Sequence, residues 1–206
     1  MGLGNPGVKY DGTRHNVGKE VVGALIAERR LRLSAGRGCY QFARDPAGEL
    51  VLAIPTTYVN TSGQAAREAL EHFGAPVESL LVVCDDFSLP LGAIRMRKHG
   101  SYGGHNGLAS IIYDLGSQDF PRLRIGVGPL PEGVDAADFV LSRFNADQLP
   151  AVEEAMGLAR EAVLAAADTG LDRAMTRYNR NGRDPGPEAI DQDGDRSGQD
   201  EDERWK

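Results

Sequence analysis

The chain has 206 residues, 41% of them hydrophobic but only 6% aromatic, enough for one domain with a substantial core. No apolar run approaches bilayer-crossing length and no signal-peptide core opens the sequence, which points to a cytoplasmic protein without a membrane segment. The formal charge of −7 is uneven: residues 180–206 hold nine Asp and Glu against five Arg and Lys, leaving only −3 on residues 1–179. Two isolated cysteines, Cys39 and Cys84, are too few for a disulfide framework or a cysteine zinc site and read as reduced, buried filler.

The first element is GLGNPG (Gly2 to Gly7), whose glycines satisfy G-x-G-x-x-G, followed by His15 within TRHNVG. A dinucleotide fingerprint needs a strand before the first glycine and a helix opening at the third. Only Met1 precedes the run, Pro6 removes an amide where a pyrophosphate wants donors, and polar Lys9, Asp11, Gly12 and Thr13 intervene, so a dinucleotide-dependent enzyme is disfavoured. Val17, Val21, Val22, Leu25, Ile26 and Leu33 recur at helical spacing, predicting a core-facing helix that Gly36 and Gly38 end. Cys39 to Ala43 and Leu50 to Ile54 predict an antiparallel hairpin around the turn Asp45, Pro46, Ala47, Gly48.

Thr61 and Ser62 offer capping hydroxyls to a helix carrying Ala65, Ala69, Leu70 and Phe73, which Gly74 and Pro76 stop. Leu80 to Cys84 is a continuous apolar run, the sign of a strand covered on both faces, and it delivers Asp85 and Asp86 at its C-terminal end. A strand from Ala93 to Lys98, a helix from about Asn106 to Leu115 and a strand from Leu123 to Val127 follow, before an irregular connection begun by Pro129, Pro131 and Gly133. Leu149, Val152, Met156, Ala159, Val163 and Ala166 describe a long amphipathic helix, and Leu171 to Tyr178 a short final one. Strands alternating with helices, plus one hairpin, predict a single α/β domain over residues 1–179: a mixed, twisted sheet with helices on both faces. Residues 180–206 have almost no aliphatic side chains and read as an acidic disordered tail.

In such sheets ligands gather outside the carboxyl ends of the strands. Loops 2–16, 56–60, 85–90 and 99–107 supply His15, Asp85, Asn5, Asn60, Asn106 and His105, and no serine or cysteine stands in a nucleophile elbow. A histidine oriented by an aspartate activates water as a general base, and carboxamides position that water or donate to an oxyanion. The set suits hydrolysis without a covalent intermediate. Taken singly, a histidine near a helix start is more often a cap or surface residue, and a strand-end Asp or a loop Asn more often a turn former.

Together GLGNPG, the stretch Tyr10 to Gly18 around TRHNVG, IPTTYVN (Ile54 to Asn60), the VVCDD strand end, GGHNGL (Gly103 to Leu108) and RLRIGVG (Arg122 to Gly128) resemble bacterial-type peptidyl-tRNA hydrolase, in family order from residue 2 to about 180. The resemblance implies cleavage of the ester joining a peptide to the 3′ ribose of tRNA, by a cytoplasmic monomer needing neither metal nor other cofactor. His15 matches the family's catalytic histidine and Asp85 the acid that orients it. Asn5, Asn60 and Asn106 match asparagines that position water, ester and peptide. Tyr10 and Tyr58 match aromatic positions lining the site, and His105 is balanced between lining the pocket and a structural role.

Arg97 and Arg124 align with residues that clamp the tRNA 5′ phosphate, within a candidate basic stripe of Arg95, Arg97, Lys98, Arg122 and Arg124 with Arg14 nearby. A solvated basic face is the plain reading of Arg95 and Lys98. The alternative function is a non-catalytic RNA-binding member of the same fold, which would need the stripe alone. Two departures from the family stand out. Its D-x-L-D-L-P motif appears as Asp85, Asp86, Phe87, Ser88, Leu89, Pro90, with Ser88 replacing the second acid, and Cys84 stands where the family often has His. The family also carries a β-strand before GLGNPG. Its lack predicts an exposed core edge, unpaired backbone groups and Asn5 on a frayed terminus, and with them a start assigned several residues late and a poorly soluble or weakly active chain.

Overall fold

The structure, a computed structural model, describes residues 1–46 and 50–181. The helix behind His15 is α1 (Val17–Glu28), which stops short of Leu33 because Arg30, at φ 52°, turns the chain aside. A two-residue strand β1 (Ser34–Ala35), too short to leave a sequence pattern, pairs with the predicted hairpin β2 (Tyr40–Arg44) and β3 (Val51–Pro55). Part of the predicted hairpin turn, residues 47–49, lies outside the described residues, as do residues 182–206 of the predicted tail.

α2 (Ser62–Phe73) ends at Gly74, whose φ of 61° closes the helix in the left-handed region. Its start departs from expectation: neither predicted hydroxyl caps it, since Thr61 Oγ1 donates back to the Tyr58 carbonyl (3.0 Å). β4 (Val82–Pro90) runs well past Cys84, because its parallel pairing with β6 (Arg122–Gly128) continues to Asp86 opposite Gly126 and resumes at Pro90 opposite Gly128. Asp85 and Asp86 therefore lie inside the strand and not at its end. β5 (Ile94–Arg97) pairs antiparallel with β6, and α3 (Asn106–Leu115) falls as predicted. Within the stretch expected to be irregular stands α4 (Ala136–Leu141), capped by Asp135, whose carboxylate accepts from the amides of Ala137 (2.9 Å) and Asp138 (3.1 Å). α5 (Leu149–Thr169) and α6 (Leu171–Asn181) complete the described chain.

The strands form two three-stranded sheets, β1-β2-β3 and β4-β6-β5, instead of one. Residues 1–3 lie between them. The Gly2 amide donates to the Ala53 carbonyl (2.9 Å), the Val83 amide to Met1 O (2.8 Å) and the Leu3 amide to Val83 O (2.9 Å). The expected frayed terminus is thus corrected: Met1, Leu3 and Asn5 are buried, and burying an apolar side chain of that size contributes roughly 1.5–3 kcal/mol.

Of the opening glycines, Gly2 and Gly4 serve this packing, whereas Gly7, at φ 98°, serves the turn that follows. A Cβ on Gly2 would stand 2.3 Å from Gly18 O, and one on Gly18 2.2 Å from Val83 O, so α1 lies directly on the N-terminal residues and β4. Along β4 the faces alternate. Val83 joins Val17, Val21 and Leu25 of α1 and Ala159 of α5, whereas Val82 and Cys84 join Leu3, Ala65 of α2 and Ile111 of α3. Helices cover both sides of a single α/β domain. Cys84 is buried filler as predicted; Cys39 is only half-buried, and its Sγ accepts from Gln64.

Candidate active site

His15 sits in a 3-10 turn (Arg14–Asn16) immediately before α1, and its Nδ1 lies 2.8 Å from Asp85 Oδ1. His105, the residue before α3, approaches the same oxygen with Nε2 at 3.0 Å. The two rings face that oxygen from opposite elements, their centroids 5.0 Å apart. What the far nitrogens meet tells them apart. His105 Nδ1 accepts from the amides of Gly107 (3.1 Å) and Leu108 (3.2 Å), capping α3, so it cannot carry a proton and His105 donates to Asp85 through Nε2–H. His15 donates through Nδ1–H and keeps the Nε2 lone pair on the cavity side.

Asp85 is buried within this pair. Burial opposes its charge, but His105 and His15, whose N–H groups both point at one oxygen, outweigh it and hold the carboxyl well below the usual carboxylate range. Two imidazoles and a carboxylate whose ligand atoms lie within 4.8 Å of one another also have the composition of a metal site. A metal on His105 Nε2 would force the proton onto Nδ1, against two amide N–H donors, so the arrangement suits hydrogen bonding and not coordination.

The site opens onto a cavity of about 320 Å³ that brings Asn5, Asn60, Asn106 and Tyr58 together with His15, Asp85 and His105. Asn5 is held twice: its Oδ1 accepts from the Val59 amide (3.0 Å), and its backbone exchanges hydrogen bonds with the Asn16 side chain (2.7 and 3.1 Å). The Asn5 amide therefore has its NH2 left to offer. Asn16, fully buried, is a site residue that the sequence reading passed over, although it adjoins His15. Asn60 and Asn106 are exposed on the cavity, the latter as the first residue of α3. Tyr10 does not line the cavity with Tyr58 but meets it edge to face, ring centroids 6.2 Å apart.

The register Arg95 opposite Arg124 and Arg97 opposite Arg122 puts four arginines on one face of β5 and β6. Arg124 lines the cavity, its Nε paired with Asp86 and its Nη2 3.5 Å from Ser88 Oγ. Ser88 in turn donates to Asp86 through its amide (2.8 Å) and hydroxyl (2.6 Å). The carboxylate facing Arg124 thus comes from Asp86, and Ser88, where the family motif has an acid, holds it. Two of the predicted basic residues, Arg122 and Arg14, drop out. Arg122 is buried over the Phe120 ring and donates to the carbonyls of Gly100, Ser101 and Gln118. Arg14 is buried against the segment after α4, and Lys98 pairs with Asp172 at 2.6 Å. Arg95 and Arg97 remain half-buried on β5.

A family model described as peptidyl-tRNA hydrolase matches residues 1–185. The chain is 42% identical over 181 residues to the peptidyl-tRNA hydrolase of Chlorobaculum tepidum, covering 87% of this chain and 96% of that one. It is 45% identical over 182 residues to that of Fervidobacterium nodosum, covering 87% and 94%. Among solved structures, the peptidyl-tRNA hydrolase of Acinetobacter baumannii matches with a TM-score of 0.80 and 30% identity over 86% of this chain and 92% of that one.

Proposed function

Since the chain belongs to the peptidyl-tRNA hydrolase family, and is by that membership an ester hydrolase, we propose that His15 is its general base and Asp85 the group that orients it. His15 Nε2 takes a proton from water, whose oxygen attacks the ester carbonyl carbon. The Asn5 NH2 and the carboxamides of Asn60 and Asn106 hold the water and the ester, and donate to the oxyanion as it forms. The carbon–oxygen bond to the 3′ ribose then breaks, and the imidazolium returns its proton to the departing ribose oxygen. Asp85 stays ionised throughout and stabilises the imidazolium, while His105 holds the carboxylate from the other side. An ester is activated enough for this without a metal or a covalent nucleophile.

For the tRNA, Arg124 and Arg97 are the phosphate-facing cations, and Tyr58, backed by Tyr10, offers a ring for the terminal adenine or the peptide. Recognition through phosphate makes binding fall with salt. The protein acts as a cytoplasmic monomer in this reading. The observation that carries the proposal is the single Asp85 oxygen accepting from both histidines, which leaves one nitrogen free to act as a base. Release of free tRNA from an N-blocked aminoacyl-tRNA tests it: His15→Ala should lower kcat by about 10³-fold, within the usual span for a lost general base. Wild-type rates in that variant would overturn His15 as the general base, whereas tRNA binding without release by the wild-type protein would favour a binding protein of the same fold.

A further inference from the structure

Arg14 adjoins His15 in the chain, yet its side chain turns away from Asp85. Its Nη1 donates to Ser142 Oγ (2.7 Å) and the Arg143 carbonyl (2.5 Å), and its Nη2 to Gln148 Oε1 (2.8 Å). The guanidinium lies 4.6 Å from the centroid of Phe139 and 4.7 Å from that of Phe144. Its backbone amide donates to Ser142 O, and Thr13 bridges to Arg143. The residue is only 5% exposed, and no carboxylate stands among these partners. Desolvating an arginine is costly, and here carbonyl, hydroxyl, carboxamide and ring contacts at the two Nη groups offset part of the cost through a planar fork that admits one geometry, while Nε is buried without a hydrogen-bond partner among the described residues.

That fork fixes the apolar side of the cavity. Ala136, Ala137, Val140 and Leu141 of α4 line the space onto which His15 and Asp85 open. A six-residue helix has little stability of its own, and α4 buries only Phe139 and Val140. Because Arg14 and His15 share one 3-10 turn, the arginine sets how far the α4 wall stands from the base.

We propose that Arg14 is a positioning residue that governs which acyl groups are hydrolysed. It holds the α4 wall so that the side chain of the substrate's last amino acid packs on Val140 and Leu141 while the ester carbonyl meets His15. The inference rests on His15 being the base. Arg14→Lys keeps the charge but loses the fork, and Ser142→Ala removes one acceptor without touching the catalytic turn.

The test compares N-blocked leucyl-tRNA and glycyl-tRNA as substrates and follows hydrogen exchange at residues 136–148. In Arg14→Lys, kcat/KM for the leucyl ester should fall roughly 10–100-fold, mainly through KM, with a smaller loss on the glycyl ester. Exchange should accelerate across 136–148 while β4 stays protected. Ser142→Ala should shift both readouts the same way by less, and Val140→Ala should reproduce the leucyl loss with no change in exchange beyond its own turn. An unchanged leucyl-to-glycyl ratio in an active Arg14→Lys enzyme, or unchanged exchange at 136–148, overturns the inference alone. A wild-type protein that hydrolyses neither ester overturns the general-base reading and this selectivity together.

Discussion

The turn before α1 and the loop before α3 each bring a histidine to one oxygen of Asp85, and they do opposite things with it. Among the described residues His15 has a single hydrogen-bond tie, so its second nitrogen is free to work. His105 is tied at both nitrogens, to the carboxylate and to the first amides of α3, so it can hold but cannot accept a proton. In the proposed mechanism identical side chains around one acceptor divide into a base and an anchor, and the hydrogen bonds on the far nitrogens decide which is which. In a low-dielectric site an acceptor shared by two N–H donors also keeps its charge where a lone buried carboxylate would not.

The largest way to break this comparison is to remove the shared acceptor. Asp85→Asn keeps the shape but withdraws the charge that fixes both tautomers, and kcat should fall by about 10²–10⁴-fold with little change in KM, read in single-turnover hydrolysis. The same substitution bears on stability. Because the folded carboxyl lies below its unfolded value, Asp85 contributes stability that is fully present above roughly pH 4 and is lost as pH falls through the folded pKa. Denaturant titrations should therefore show a shallower loss of stability on the acid side in Asp85→Asn, and an unchanged slope would contradict the assignment.

A smaller effect separates the two histidines. His105→Ala should cost about 1 kcal/mol of stability by uncapping α3, and about tenfold in kcat by loosening Asp85. His105→Asn supplies a good cap and should recover the melting temperature but not the rate. Recovery of both would make His105 a helix cap and nothing more.

The smallest effect contrasts Arg122 and Arg124, two residues apart on one face of β6. Arg124→Ala should raise KM severalfold for intact tRNA substrates and reduce the salt slope of binding by about one, with a loss of stability as well because the buried Asp86 carboxylate loses its cation. Arg122→Ala should leave the salt slope unchanged while lowering stability by about 1–3 kcal/mol, because buried carbonyls lose their donor. A salt slope that moves equally in both variants would put them in one stripe after all.

Most of the helices and strands were legible because apolar periodicity records which face is buried, as at Val17 to Ile26 or Val82 to Cys84. α4 was not, because six residues that follow Pro129, Pro131 and a capping Asp135 give too little periodicity to stand out. The shared acceptor was half legible: His15 and Asp85 stood in recognisable motifs, but the role of His105 depends on where its Nδ1 points, which only the turn into α3 decides. The basic stripe was overread because strand alternation places arginines on a face without saying which of them a loop covers, and loop 99–105 covers Arg122. The sequence already disfavoured a nucleotide cradle at GLGNPG, but what Gly2 is for, its close approach to Gly18, only the packing of α1 reveals.

The pH dependence of kcat in His105→Asn tests the division of labour most directly. A base at His15 predicts that this variant keeps an ascending limb in the range where imidazole titrates, at reduced height, and that His15→Ala loses the limb. An ascending limb that vanishes in His105→Asn and persists in His15→Ala would contradict the account.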